Sequence, residues 1–117
     1  MAKSVKEALE DFLRIEGVTA VAIVGRDGFV IESASRITLD PDALGAVVAS
    51  AIGASEIFGS DFAMGKLEQF LLEFEMGKAI IAAAGNDILV LTTDTTAVIG
   101  SVRYTVKKGI DELTKLL

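Results

Sequence analysis

Between Asp42 and Asp61 the chain carries only one charged residue, Glu56. Asp40 and Pro41 ahead of this stretch predict a helix start: an aspartate can accept the free N–H groups of a first turn, and proline suits the first helical position. The predicted helix runs to about Phe58. With about 100° of turn per residue, Leu44, Val47, Val48, Ala51, Ser55 and Phe58 fall on one face, ample to cover a sheet. The opposite face of a surface helix should be polar, yet here it carries Gly45, Ala46, Ala49, Ser50, Gly53 and Ile57. A glycine inside a helix costs about 1 kcal/mol relative to alanine. Gly45, Ala49 and Gly53, spaced by four, form a ridge along which a second helix can pack closely. The ridge could also lie under a loop or helix of its own chain. The missing solubilising charge, and the lack of another unassigned long segment, favour self-association about a two-fold axis.

The remaining elements follow from periodicity. Ser4 and Glu7 have capping-box spacing, and Val5, Leu9, Phe12 and Leu13 share a stripe, so Ser4 to about Arg14 is predicted helical and Gly17 ends it. Val18 to Val24 and Phe29 to Ser33 are strand-like, with Arg26-Asp27-Gly28 as the turn between them. From Lys66 the pattern has period two, with Phe70, Leu72, Phe74 and Met76 on one side and Glu73 and Glu75 on the other. Ala79 to Ala84 and Ile88 to Thr93 follow as two further strands. Their turns are predicted at Gly77-Lys78 and Gly85-Asn86-Asp87. Val102, Val106, Ile110, Leu113 and Leu117 predict a final helix from about Ala97. The fold class is therefore α+β: a five-stranded, largely antiparallel sheet with helices on both faces, in the order α-β-β-α-β-β-β-α. No repeat or linker divides it, so residues 1–117 read as a single domain.

Composition removes several function classes. The net charge of −6 repels nucleic acid and anionic lipid surfaces. Cysteine, histidine and tryptophan are all absent, which removes thiolate and imidazole metal ligands, the commonest general base and the usual catalytic triads. A chain without cysteine suits the cytoplasm. The start, Met1-Ala2-Lys3-Ser4, lacks the apolar stretch of a signal peptide. The longest apolar run, Leu44 to Ala54, is interrupted by Gly45, Ser50 and Gly53 and falls short of the roughly 20 residues of a bilayer span, so no direct membrane insertion is expected.

Motifs with chemical promise are few. Gly59 to Leu67 approaches a phosphate-binding loop, but five residues rather than four separate its glycines, and Leu67 stands where a magnesium-binding Ser or Thr is needed. Glu68, Glu73 and Glu75 could form an acid–base pair or a hard-cation site, but Glu73 and Glu75 lie on a strand's outer face with no third ligand in view, and an exposed strand edge guarded by charge is the simpler reading for them. Asp94 with Thr93, Thr95 and Thr96 is expected to cap the last helix. Arg103 reads as a surface residue. No catalytic residue, metal site or cofactor is expected, and the chain is not expected to be an enzyme.

Ile15-Glu16-Gly17-Val18, Val24-Gly25-Arg26-Asp27-Gly28, Phe74-Glu75 and Ile99-Gly100-Ser101-Val102-Arg103, in this order of elements, resemble the roadblock/LC7 family from Val5 to Leu113. The resemblance implies a three-layer fold whose long central helix and third strand form a homodimer. It also implies a regulator or scaffold of a small Ras-like GTPase that modulates the nucleotide cycle without catalytic residues of its own, of the prokaryotic type. The alternative is a structural subunit of a larger complex with no GTPase partner. The interface positions that follow are Gly45, Ala46, Ala49, Ser50, Gly53, Ile57, Leu67, Phe70, Leu72 and Phe74.

Overall fold

The computed structural model describes residues 3–117. The reading of Met1 and Ala2 as part of a start without a signal peptide lies outside those residues. The elements are α1 (Val5–Leu13), β1 (Val18–Val24), β2 (Val30–Ser35), α2 (Pro41–Asp61), β3 (Gln69–Phe74), β4 (Gly77–Ala84), β5 (Asp87–Thr93) and α3 (Ile99–Leu116). They form one five-stranded sheet in the spatial order β2-β1-β5-β4-β3, and every neighbouring pair is antiparallel. Because β2 and β3 are consecutive in sequence but lie at opposite margins, the segment containing α2 must cross the whole sheet.

Strand alternation builds two cores. Val21, Ile23, Leu89 and Leu91 face α1 and α3, where Leu9, Phe12, Val106 and Leu113 close over them. Ala22, Val24, Ile88 and Val90 face the other way and meet Val48 and Ile52 of α2. The chain is thus three layers, two helices on one face and one on the other. Full burial of a side chain such as Leu9 or Ile88 contributes roughly 1.5–3 kcal/mol.

The first two helix starts are as the sequence predicts. The Ser4 hydroxyl accepts from the Glu7 N–H at 3.1 Å, and the Glu7 carboxylate accepts from the Ser4 N–H at 3.3 Å, a complete capping box. Asp40 Oδ1 accepts from the N–H groups of Asp42 and Ala43 at 3.1 and 3.3 Å. The α2 helix runs three residues past its predicted end and finishes in a left-handed residue, Ala63, at φ +55°.

Four local readings change. The strand predicted from Lys66 begins at Gln69, and the one predicted to end at Ser33 continues to Ser35. Gly77 is not a turn residue: the turn is Glu75-Met76, and Gly77 opens β4. A β-carbon at Gly77 would lie 2.2 Å from the carbonyl oxygen of Thr93, so the glycine serves close strand approach. Nor does Asp94 cap α3, whose N-cap is Val98 without a side-chain hydrogen bond. Asp94 instead accepts from the hydroxyl and N–H of Thr96 at 2.6 and 2.8 Å, closing a turn just before the helix. Those bonds, the hydroxyl's first, hold its carboxyl below the usual aspartate range.

Candidate interaction surface

A close contact with the β1–β2 turn positions α2. A β-carbon on Gly45 would lie 1.9 Å from the Gly28 carbonyl oxygen, so the helix backbone rests directly on the turn. Gly28 has φ +89°, a conformation that glycine adopts without strain. Beside this contact Arg26 reaches in two directions. One guanidinium N–H meets Glu56 Oε1 of α2 at 2.5 Å, and Nε donates to the Asn86 carbonyl at 3.1 Å.

This anchoring rotates α2 from the predicted orientation. Gly45, assigned above to the outward ridge, is buried against its own chain, together with Val48 and Ile52. Ala49 is half-buried beside Gly28. Gly53 is half-buried with no non-neighbouring atom within 4 Å of its β-carbon position. Conversely Val47 and Phe58, predicted to face the sheet, are 66% and 57% exposed. The outward stripe of α2 is Ala43, Ala46, Val47, Ser50, Ala54, Ile57 and Phe58, without a charge over that span, and Asp61 closes it at the end of the helix. By length and composition this helix could cross a bilayer. The predicted positions Ala46, Ser50 and Ile57 are exposed on that stripe; Gly45, Ala49 and Gly53 are not its members.

The free margin at β3 adds to the same side of the sheet. Leu67 and Phe70 are half-buried and pack against the α2-side core, while Leu72 and Phe74 farther along the strand are exposed. Its pairing with β4 runs from Gln69 opposite Ala82 to Phe74 opposite Gly77 without a bulge. On the other face the side-chain oxygen of Gln69 is buried without a hydrogen-bond partner, next to a groove of about 440 Å³ between β3 and α3. Of the fourteen large apolar side chains that stand exposed among the described residues, eight belong to α2, the loop after it, or the β3–β4 hairpin, among them Phe62, Met64 and Met76. Sequence reasoning missed Val47, Phe58, Phe62 and Met64. The roughly 1 kcal/mol helix cost of Gly45 pointed to a close backbone neighbour, and that neighbour is the β1–β2 turn rather than a second helix.

The other candidates are dispersed. Among the described residues no three metal-ligating side chains converge. Gly59 lies inside α2, where no phosphate loop can form, and Glu68, Glu73, Glu75 and Arg103 are exposed.

The chain is thus a three-layer α+β domain with a bulge-free sheet margin at β3 beside an apolar helix stripe. The chain belongs to the roadblock/LC7 domain family, whose model matches residues 4–93. An uncharacterized protein of Methanocaldococcus jannaschii is 35% identical over 109 residues, 93% of this chain and 96% of its own. In structure the chain is similar to Myxococcus xanthus MglB, with a TM-score of 0.89 at 22% identity over 96% of this chain and 93% of that one. It is equally similar to an MglB in a tetrameric arrangement, with a TM-score of 0.88 at 25% identity over 96% and 86%.

Proposed function

We propose that the chain works as a cytoplasmic homodimer, joined through β3 and α2, that binds a small Ras-like GTPase and modulates its nucleotide cycle without supplying catalytic groups. The observation that carries the self-association is the bulge-free β3 margin flanked by exposed Leu72 and Phe74 and by the uncharged stripe of α2. Monomeric proteins seldom leave such an edge and such a stripe uncovered. In an antiparallel self-pairing, residues of one face oppose one another. Phe70, Leu72 and Phe74 then meet their counterparts under the paired α2 helices, while Gln69, Leu71 and Glu73 meet on the far side. An unpaired buried acceptor costs about 1–3 kcal/mol, and that second set offers the Gln69 amide new polar neighbours. The tetrameric MglB arrangement supports self-association within this fold.

Family membership supports the GTPase partner. Such a partner is regulated through differential binding of its switch states, which requires no acid, base or nucleophile from this chain. The acids Asp40, Asp42, Glu56 and Asp61 around α2 favour a protein over an anionic membrane as the cover of the stripe.

The test has two arms. Sedimentation of the wild type and of Ile57→Glu with Phe74→Lys should show a dimer and a folded monomer; a wild-type monomer at micromolar concentration would refute the dimer. Pull-down and GTP-hydrolysis assays with the Ras-like GTPases of the same genome, in both nucleotide states, should show one that binds the dimer. Binding to none of them would leave the assembly-subunit reading in its place.

A further inference from the structure

Which residues of β3 turn their main-chain groups outward follows from the ladder with β4. The Ala83 N–H donates to the Glu68 carbonyl at 3.0 Å, and the register continues from Gln69 opposite Ala82 to Phe74 opposite Gly77. In an antiparallel ladder, residues that exchange bonds with the neighbouring strand alternate with residues that do not. Glu68, Phe70, Leu72 and Phe74 therefore bond to β4, and Gln69, Leu71 and Glu73 turn their N–H and C=O groups to the free edge. Leu71 is the midpoint of that set. Its side chain packs against the core under α1 and α3, so Gln69 and Glu73 stand on this face too, one on either side of it.

The two flanking side chains have opposite needs. Gln69 is half-buried, and its side-chain oxygen has no partner within the chain. Glu73 is exposed, with Lys78 opposite it on β4. A carboxamide offers two N–H donors and an accepting oxygen, whereas an ionised carboxylate only accepts. A donor and an acceptor placed symmetrically about a leucine are self-complementary under a two-fold axis through that leucine. Identity of two edges does not by itself give such a match.

We propose that Gln69 and Glu73 are the specificity-determining pair of the β3 edge: with Leu71 on the two-fold axis, Gln69 of each copy lies opposite Glu73 of the partner subunit. This rests on the β3 dimer proposed above and fixes its register. The Gln69 amide donates to that carboxylate, and Lys78 of the partner subunit, next in the same row, supplies a donor for the orphaned oxygen. Other registers serve these groups less well. A shift by one residue sets side chains of opposite faces against each other. With Phe70 on the axis, Gln69 faces Leu71 of the partner subunit and its oxygen stays unpaired, which is costly for a buried acceptor. With Leu72 on the axis, each Glu73 faces Leu71 of the partner subunit, and Gln69 faces Glu75 beyond the end of the strand. An edge with acids at both places is repelled, so the pair selects a second copy of this chain over a differently charged strand.

The experiment uses the full chain, with folding checked by circular dichroism and dimer dissociation measured by sedimentation over a dilution series. Gln69→Glu sets two pairs of acids face to face and should weaken the dimer roughly tenfold at low salt, less as salt screens the charges. Adding Glu73→Gln exchanges donor and acceptor and should bring the dissociation constant back to within about threefold of the wild type. Adding Glu75→Gln instead should not. A mixture of Gln69→Glu and Glu73→Gln chains should favour the mixed dimer, in which both contacts are restored. The chain has no cysteine, so crosslinking gives a second readout without any new charge. Leu71→Cys should form an intersubunit disulfide faster than Phe70→Cys or Leu72→Cys, since a bridge needs α-carbons about 4.4–6.8 Å apart. This decides the register even where Gln69→Glu does not fold. A wild type that sediments as a monomer removes the β3 dimer and the pair with it. A wild-type dimer that Gln69→Glu leaves as tight, that Glu73→Gln fails to restore, or that crosslinks faster through position 70 or 72 overturns the pair and leaves the dimer standing.

Discussion

The carbonyl oxygen of Gly28 stands 1.9 Å from the place a β-carbon on Gly45 would take, so the β1–β2 turn and the first half of α2 share a gap too small for a methyl group. Gly45→Ala must push two backbones apart. Overpacking of this kind costs about 1–3 kcal/mol, more than the roughly 1 kcal/mol that alanine gains in a helix. Its melting temperature should fall. Gly53→Ala meets open space in the single chain and should raise monomer stability by up to about 1 kcal/mol. If the partner helix packs across that point, the same change weakens the dimer, which sedimentation across a dilution series would reveal.

Gly109 of α3 and Phe12 of α1 are related in a similar way, with a β-carbon at 109 only 2.7 Å from the tip of the Phe12 ring. Gly109→Ala should lower stability by about 1–3 kcal/mol in chemical denaturation. Because the obstacle is a side chain, shortening it by Phe12→Leu should reduce the penalty. The double-mutant cycle should then show a coupling of about 0.5–3 kcal/mol; additive effects would mean that the helices separate by another route.

Ala63 ends α2 at φ +55°, in a region where side chains cost about 1–2 kcal/mol. Ala63→Gly removes that cost but enlarges the freedom of the unfolded chain. The net expectation is a gain of about 0.5–1 kcal/mol, measured as a higher denaturation midpoint at constant slope. The substitution lies beyond the helix, so dimerisation should be unaffected.

Asp94 ties pH to the turn before α3. Its carboxyl is held below the usual aspartate range by the Thr96 hydroxyl and then the Thr96 N–H. A depressed carboxyl contributes stability that is fully present above its unfolded pKa and is lost as pH falls through the folded value. The contribution should therefore be constant at neutral pH and disappear only in acid, below the ordinary value of 3.8. In Asp94→Asn the acid limb of the stability profile should be shallower, with little change in shape near neutrality.

Much of the fold could be read from local pattern. The caps at Ser4 and Asp40, the alternation through Phe70, Leu72 and Phe74, and the Arg26-Asp27-Gly28 turn each depend on residues a few positions apart, and each stands in the structure where the pattern put it. The rotation of α2 could not be read in this way. A helix with apolar residues on every side has two plausible inner faces, and Gly28, seventeen positions before Gly45, decides between them. The same limit applies at Gly77, whose space is taken by Thr93, and at Ser33, whose carbonyl is taken by Lys6 from another layer. Of the ten predicted interface positions, those on β3 and Ala46, Ser50 and Ile57 remain on available surface. Gly45 left the set because its partner is its own chain.

The uncharged stripe of α2 also stands apart from the internal packing of the protein. Its two cores are each built from residues of a single chain, whereas the stripe is left outside both. A chain without a partner shows water Val47, Ile57 and Phe58. Such a species is exposed to aggregation and to quality control for as long as it stays alone. With a second copy as the cover proposed above, the exposed fraction should fall as the chain's own concentration rises.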